Sequence, residues 1–207
     1  MSQVRVLDYS TGVPLENEYG HFEVGAFSIE VDGLARDLYT LSCGELKDTV
    51  NVRINSACFT GDLFGCLRCD CNEQMRCAIK YFADKGNGLL IYDLSQEGRG
   101  IGPVGKLKSL KLMDKKGLST AQAFAELGYE VDIRNYSAAA EILNFYKIKK
   151  VNLITNNPDK VNYLRSAGVD VVSRIPTVSQ KVELQQYLLS KEKEMGHIIS
   201  KKGDANK

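Results

Sequence analysis

Apolar and polar positions set out a β-rich front and a mixed rear. Residues 21–31 (HFEVGAFSIEV), 36–42 and 48–55 (DTVNVRIN) alternate or carry β-branched residues, with Gly and Asp between them, which predicts strands. Val50, Val52 and Ile54 alternate with Asn51, Arg53 and Asn55, the pattern of a half-buried strand. From residue 72 the period changes. Met75, Ala78, Ile79 and Phe82 fall at i, i+3, i+4 and i+7, so an amphipathic helix is expected over 72–85, stopped by Gly86. A short apolar strand follows at 88–94 (GLLIYDL), then a helix over 104–116. Ser119 caps a short helix ending at Gly128, and Ser137 begins another that runs through Tyr146. VNLIT (151–155) reads as a buried strand, Pro158 sits near the start of a helix ending at Gly168, and VDVVS (169–173) is the next strand. A charged helix is expected from Ser179 to Met195, with a frayed, Lys-rich end. Alternating α and β elements behind a β-rich front imply an α+β or α/β fold with parallel pairing in its rear part. No repeat or linker interrupts the chain, so one domain over 1–199 with a flexible tail at 200–207 is expected.

Composition narrows the partners. The 207 residues include 27 basic and 26 acidic side chains, a formal charge of +1. Strong phosphate-backbone binders carry a clear basic excess, so no nucleic-acid partner is expected. No run approaches the length of a membrane span and no secretory leader is evident, which predicts a cytoplasmic protein without a membrane partner. Its six cysteines should then be reduced, and the clustering of five of them within 58–77 points to metal binding or chemistry. Two histidines nearly exclude an imidazole-rich metal site.

Four segments carry the candidate chemistry. Cys69 and Cys71 stand just before a predicted helix, where the helix end favours thiolate. With Cys58 they would form a three-cysteine zinc site with an open fourth position, whereas Cys66 as fourth ligand would close the site into a structural one. Ser95-Gln-Glu97-Gly98-Arg99-Gly-Ile-Gly102 joins a strand to a helix; its glycines allow close backbone approach, Arg99 suits an anion and Glu97 a guanine edge. Arg53 is a second anion candidate. Asp132 and Arg134 share a face if their segment is extended, as a ligand pair or a plain surface ion pair. Thr155-Asn-Asn-Pro-Asp-Lys160 lies at the carboxyl end of a strand, where α/β sheets bind ligands.

RINSACFTGD (53–62), LRCDC (67–71), QEGRGIG (96–102), DIR (132–134), LITNNPDKV (153–161) and EMGH (194–197) together resemble the GTP cyclohydrolase II family, over roughly residues 15–199. The resemblance implies zinc-dependent opening of the guanine imidazole ring of GTP, with release of formate and pyrophosphate, as a step of riboflavin biosynthesis. It implies an open zinc site on Cys58, Cys69 and Cys71, Mg²⁺ on the nucleotide phosphates, and a homodimer. Nucleotide contacts carried over are Arg53, Ile54, Asn55, Ser56, Ala57, Gln74, Glu97, Gly98, Arg99, Thr120, Thr155 and Lys160. Asp132 takes the position of the proton acceptor. Arg134 takes that of a nucleophile toward the α-phosphate, with electrostatic stabilisation by its guanidinium as the alternative.

The sequence also departs from the family pattern near the chemistry. The family's R-V-H-S-E-C is here Arg53-Ile-Asn55-Ser-Ala57-Cys58, Ser95 and Pro103 replace an arginine and a leucine, and Leu110 stands where a catalytic tyrosine is expected. Leucine transfers no proton. A variant that opens the ring and keeps the formyl group, or one acting on another nucleotide, is the alternative activity. A non-catalytic nucleotide binder is a third reading. Tyr92 and Tyr136 are candidate substitutes for the missing phenol.

Overall fold

A computed structural model of the chain describes residues 3–177, 192 and 196–198. Apart from Glu192, the helix expected over Ser179–Met195 and the tail at 200–207 lie outside these described residues. The strands are β1 (Val4–Asn17), β2 (Gly20–Val31), β3 (Leu34–Cys43), β4 (Thr49–Ser56), β5 (Gly88–Asp93), β6 (Lys150–Ile154) and β7 (Asp170–Ile175). The helices are α1 (Phe59–Asp62), α2 (Cys71–Lys85), α3 (Gly102–Lys116), α4 (Thr120–Glu126), α5 (Ser137–Phe145) and α6 (Pro158–Ser166). All seven strands join one mixed sheet in the order β1-β2-β3-β5-β4-β6-β7.

The β-rich front is an antiparallel meander, β1 on β2 on β3, whose last strand also pairs antiparallel with β5. Parallel pairing holds from β5 through β4 and β6 to β7, as the alternating α and β pattern predicts. Each parallel crossover needs a covering helix, and the helices lie on both faces. Ala138, Ala139, Ile142 and Leu143 of α5, with Val161 and Leu164 of α6, bury against Phe27, Leu38, Val50, Val52 and Leu153. Ala78 and Phe82 of α2 bury against Phe22, Leu90 and Ile154.

Three differences from the sequence expectations have physical causes. β1 was not predicted: its register with β2 shifts between Val6 and Asp8 and again between Ser10 and Val13, so its alternation is broken twice. β4 is buried on both faces rather than half-buried. Asn51, Arg53 and Asn55, read as a solvent face, lie inside, and each finds partners there. Asn51 donates two hydrogen bonds to Asn87, from its N–H to Oδ1 and from its Nδ2 to the carbonyl, and Arg53 is held by Asn55 and Gln74. Helix α3 also begins at Gly102, two residues before the expected start, with Pro103 in its first turn where no N–H is needed.

Candidate active site

β4 lies between β5 and β6, so the chain leaves its carboxyl end toward one neighbour and later returns to the other. Such a switch point opens a crevice at the strand ends. The segments leaving β4, β5 and β6 line one cavity of about 230 Å³. β4 and its exit supply Arg53, Asn55, Ser56, Ala57 and Cys58; the turn after β5 supplies Gln96, Glu97, Gly98 and Arg99; and the end of β6 supplies Thr155, Asn156 and Asn157, with Lys160 from α6. Cys69, Cys71, Gln74, Lys106, Leu110, Thr120, Arg134 and His197 complete much of the wall.

Two predicted residues are not in that lining. The Ile54 side chain is in the core, and its carbonyl accepts a hydrogen bond from Lys160 Nζ at 2.8 Å. Asp132 acts on the cavity through Arg134, whose Nε donates to its Oδ1 at 2.8 Å and to its Oδ2 at 3.1 Å. Burial opposes the charge on Asp132, but the hydrogen bonds and charge of Arg134 outweigh it and keep the carboxyl below its ordinary range. Arg134 also reaches Ser56 Oγ at 3.4 Å. The pair is tied to the turn after β5 because Ile133 N–H donates to the Arg99 carbonyl at 3.2 Å. In that turn Gly98 and Arg99 both have left-handed φ, 60° and 62°, an arrangement that a non-glycine residue adopts at a cost.

The Sγ atoms of Cys58, Cys69 and Cys71 all lie within 4.8 Å of one another. Cys58 Sγ and Cys69 Sγ are 3.7 Å apart. Zinc–sulfur bonds of about 2.3 Å in a tetrahedron separate sulfurs by about 3.8 Å, so the spacing fits a zinc ion. Gly61 leaves the room: a Cβ there would sit 2.9 Å from Cys69 Sγ and 3.2 Å from Cys58 Sγ. Cys66 lines the cavity but is not in the thiol cluster. Cys71 opens α2, whose N-terminal end favours its thiolate. Hydrogen bonds from Cys69 and Cys71, helped by Lys106, hold the Cys58 thiol far below its ordinary range despite burial. Cys69, hydrogen-bonded to that thiolate, is pushed up to about 11. A bound divalent ion would replace the shared protons and take all three as thiolates.

The first cysteine is fixed from several sides. Asp62 Oδ2 accepts from the Cys58 N–H at 3.0 Å and from the Tyr92 hydroxyl at 2.8 Å. Arg53 is buried, which lowers its pKa, and it donates to Asn55 Oδ1, Gln74 Oε1 and the Ile154 carbonyl.

The chain matches the GTP cyclohydrolase II family over residues 9–176. It is 40% identical over 190 residues to GTP cyclohydrolase-2 of Buchnera aphidicola subsp. Schizaphis graminum, covering 90% of this chain and 95% of that protein. The chain belongs to the GTP cyclohydrolase II family. It is also 41% identical over 199 residues to the riboflavin biosynthesis protein RibBA of Staphylococcus saprophyticus, covering 96% of this chain and 49% of that protein. This GTP cyclohydrolase II family member thus spans about half the length of the RibBA relatives it matches. A solved structure, RibBX, a two-domain 3,4-dihydroxy-2-butanone 4-phosphate synthase from A. baumannii, aligns at a TM-score of 0.41 and 19% identity, over 85% of this chain and 40% of that one.

Among the described residues no tyrosine lines the cavity of this family member, and Leu110 does. Neither candidate substitute, Tyr92 or Tyr136, is in that lining. The Tyr92 hydroxyl is given to Asp62, and Tyr136 is buried with its hydroxyl bonded to Asn157 Nδ2 at 3.3 Å. Burial pushes both phenols above their ordinary range. Lys106 and His197 were missed by the sequence reading. Lys106 lies in the second turn of α3, where a lysine carries no local signal; the Ile198 N–H donates to the Asn156 carbonyl at 3.1 Å and ties the neighbouring His197 to the cavity wall.

Proposed function

We propose that this chain binds GTP in the cavity at the β4 switch point and hydrolytically opens its guanine imidazole ring with zinc, as a step of riboflavin biosynthesis. The observation that carries the reading is a three-thiol cluster of zinc spacing opening onto the same cavity as Arg134, Arg99 and Lys160 in a member of this family. Cys58, Cys69 and Cys71 would hold the zinc, which when bound supplies a Lewis acid and an acidified water. Arg53, Arg99, Thr155 and Lys160 bind the nucleotide with Mg²⁺ on its phosphates, and Asn55, Ser56, Ala57, Gln74, Glu97, Gly98 and Thr120 shape the base and ribose end. Arg134 is a permanent cation held by Asp132, so it meets charge developing at the α-phosphate as water displaces pyrophosphate there, and Asp132 accepts that water's proton. The ordinary products are formate, pyrophosphate and the ring-opened nucleotide.

A second reading rests on the tyrosine-free lining. With Leu110 in the wall, the ring opens and the formyl group stays. Incubation of the purified chain with GTP and Mg²⁺ tests both readings, with product masses, formate, pyrophosphate and zinc counted in one sample. Stoichiometric formate supports the full reaction, a product retaining formyl supports the second reading, and no turnover of GTP overturns both. A single domain over 1–199, a homodimer and a cytoplasmic location complete the proposal.

A further inference from the structure

A closed ring of contacts joins the turn after β5 to the first cysteine. Glu97 is 4% exposed. Its Oε2 accepts the Phe59 N–H at 2.7 Å, the amide directly after Cys58. Its Oε1 accepts Lys106 Nζ at 2.7 Å and the Gly98 N–H at 3.0 Å. Lys106 Nζ in turn lies 3.1 Å from Cys58 Sγ and 5.3 Å from the Phe59 ring centroid. Lys106 reaches this point from the second turn of α3 with its ammonium largely shielded, its side chain 14% exposed.

The charge arithmetic gives the ring a purpose. Three thiolates and one divalent ion carry a net charge of −1, which a low-dielectric wall disfavours. The Lys106 ammonium offsets that charge locally at the Cys58 sulfur, with Glu97 on its far side returning the total to −1, and a charge-assisted hydrogen bond to a ligand atom fixes its position. Glu97 has both oxygens engaged within the protein. It acts on Cys58 through the Phe59 amide on one side and through Lys106 on the other.

We propose that Lys106 and Glu97 are positioning residues for the metal, Lys106 by neutralising and orienting the Cys58 thiolate and Glu97 by holding Lys106 and the Phe59 amide in place. The proposal rests on the zinc reading above. Neither residue needs to touch the nucleotide for this role.

The test is zinc binding by the full chain without GTP, read by competition with a chromophoric chelator, together with the visible spectrum of the cobalt(II)-substituted protein. Lys106→Met is expected to weaken zinc binding by about 10- to 100-fold and to shift the cobalt–thiolate bands, as loss of a ligand's hydrogen-bond partner does in metal sites. Lys106→Arg should restore most of the affinity, and Lys108→Met, on the exposed side of α3, should match the parent. Glu97→Gln should weaken binding in the same direction. If Lys106→Met binds zinc as tightly as the parent with the same cobalt spectrum, the proposal is overturned. If the parent itself binds no zinc, the zinc reading is overturned and this proposal with it.

Discussion

At the scale of single residues, the Asp132–Arg134 pair sets the pH behaviour. The folded carboxyl lies below its unfolded value near 3.9 because Arg134 holds its anion against burial. Its contribution to stability is therefore complete above about pH 5 and is lost as pH falls through the lowered folded value. Arg134→Met removes that support and leaves the burial, so the Asp132 pKa should rise. The acid limb of the kcat/KM profile should move to higher pH, and the plateau should fall by about 10²-fold or more. Initial rates across a pH series check both. Leu110 gives a gain-of-function prediction. Leu110→Tyr places a phenol in the tyrosine-free wall, and under the formyl-retaining reading the formate released per GTP opened should rise, read by coupled formate assay beside product mass. Most of these residues were legible because they lie in contiguous motifs. Lys106 was not, because a lysine one turn into a helix carries no local signal. Only the tertiary approach of α3 to the β4 exit gives it partners.

At the scale of elements, short features hold the site in place. Helix α4 carries a reciprocal capping box, Ser119 Oγ accepting from Gln122 N–H and Gln122 Oε1 accepting from Ser119 N–H at 2.9 Å. Ser119→Ala should cost about 1 kcal/mol of unfolding free energy. It should also raise the KM for the nucleotide, since Thr120 is the next residue; urea unfolding and steady-state kinetics read the two effects. In α1, Gly61→Ala would drive a methyl against two of the three sulfurs. Its zinc affinity should fall by about 10-fold or more while the circular dichroism spectrum stays that of the parent, since Gly61 has no left-handed φ to protect. Helix α2 was readable from its apolar spacing and Gly86, and α5 and α6 from Ser137, Pro158 and Gly168. The turn after β5 was readable as a glycine-rich connection but not in its shape, because its consecutive left-handed residues Gly98 and Arg99 stand against a distant segment, the Ile133 N–H donating to the Arg99 carbonyl. Likewise β4 presented alternating polar residues that in isolation mark a solvent face. In the fold Arg53 and Asn55 are both buried, Arg53 donating to Gln74 of α2 and to Asn55.

At the scale of the whole molecule, the sheet changes character at β5, antiparallel to β3 on one edge and parallel to β4 on the other. The antiparallel meander adds breadth to the core, and the parallel half makes the crevice. Among the described residues no helix is long and apolar enough to cross a membrane. The sequence indicated the parallel half through its alternation of helices and strands, while the outermost strand was hidden by its irregular register. That irregularity has a further consequence for the protein in concentrated solution. β1 is an edge strand of 14 residues, with Leu7, Tyr9 and Val13 exposed along it. A straight apolar edge of that length is a template on which a second chain can add its own strand and continue into an aggregate. The extra residues at Leu7 and near Gly12 break the edge into short, differently twisted runs, and Pro14 withholds one donor. Deleting Leu7 and Gly12 together should give a chain that still folds its parallel half but scatters light at concentrations where the parent stays clear. In β1, irregular pairing would thus act as a guard against uncontrolled self-association.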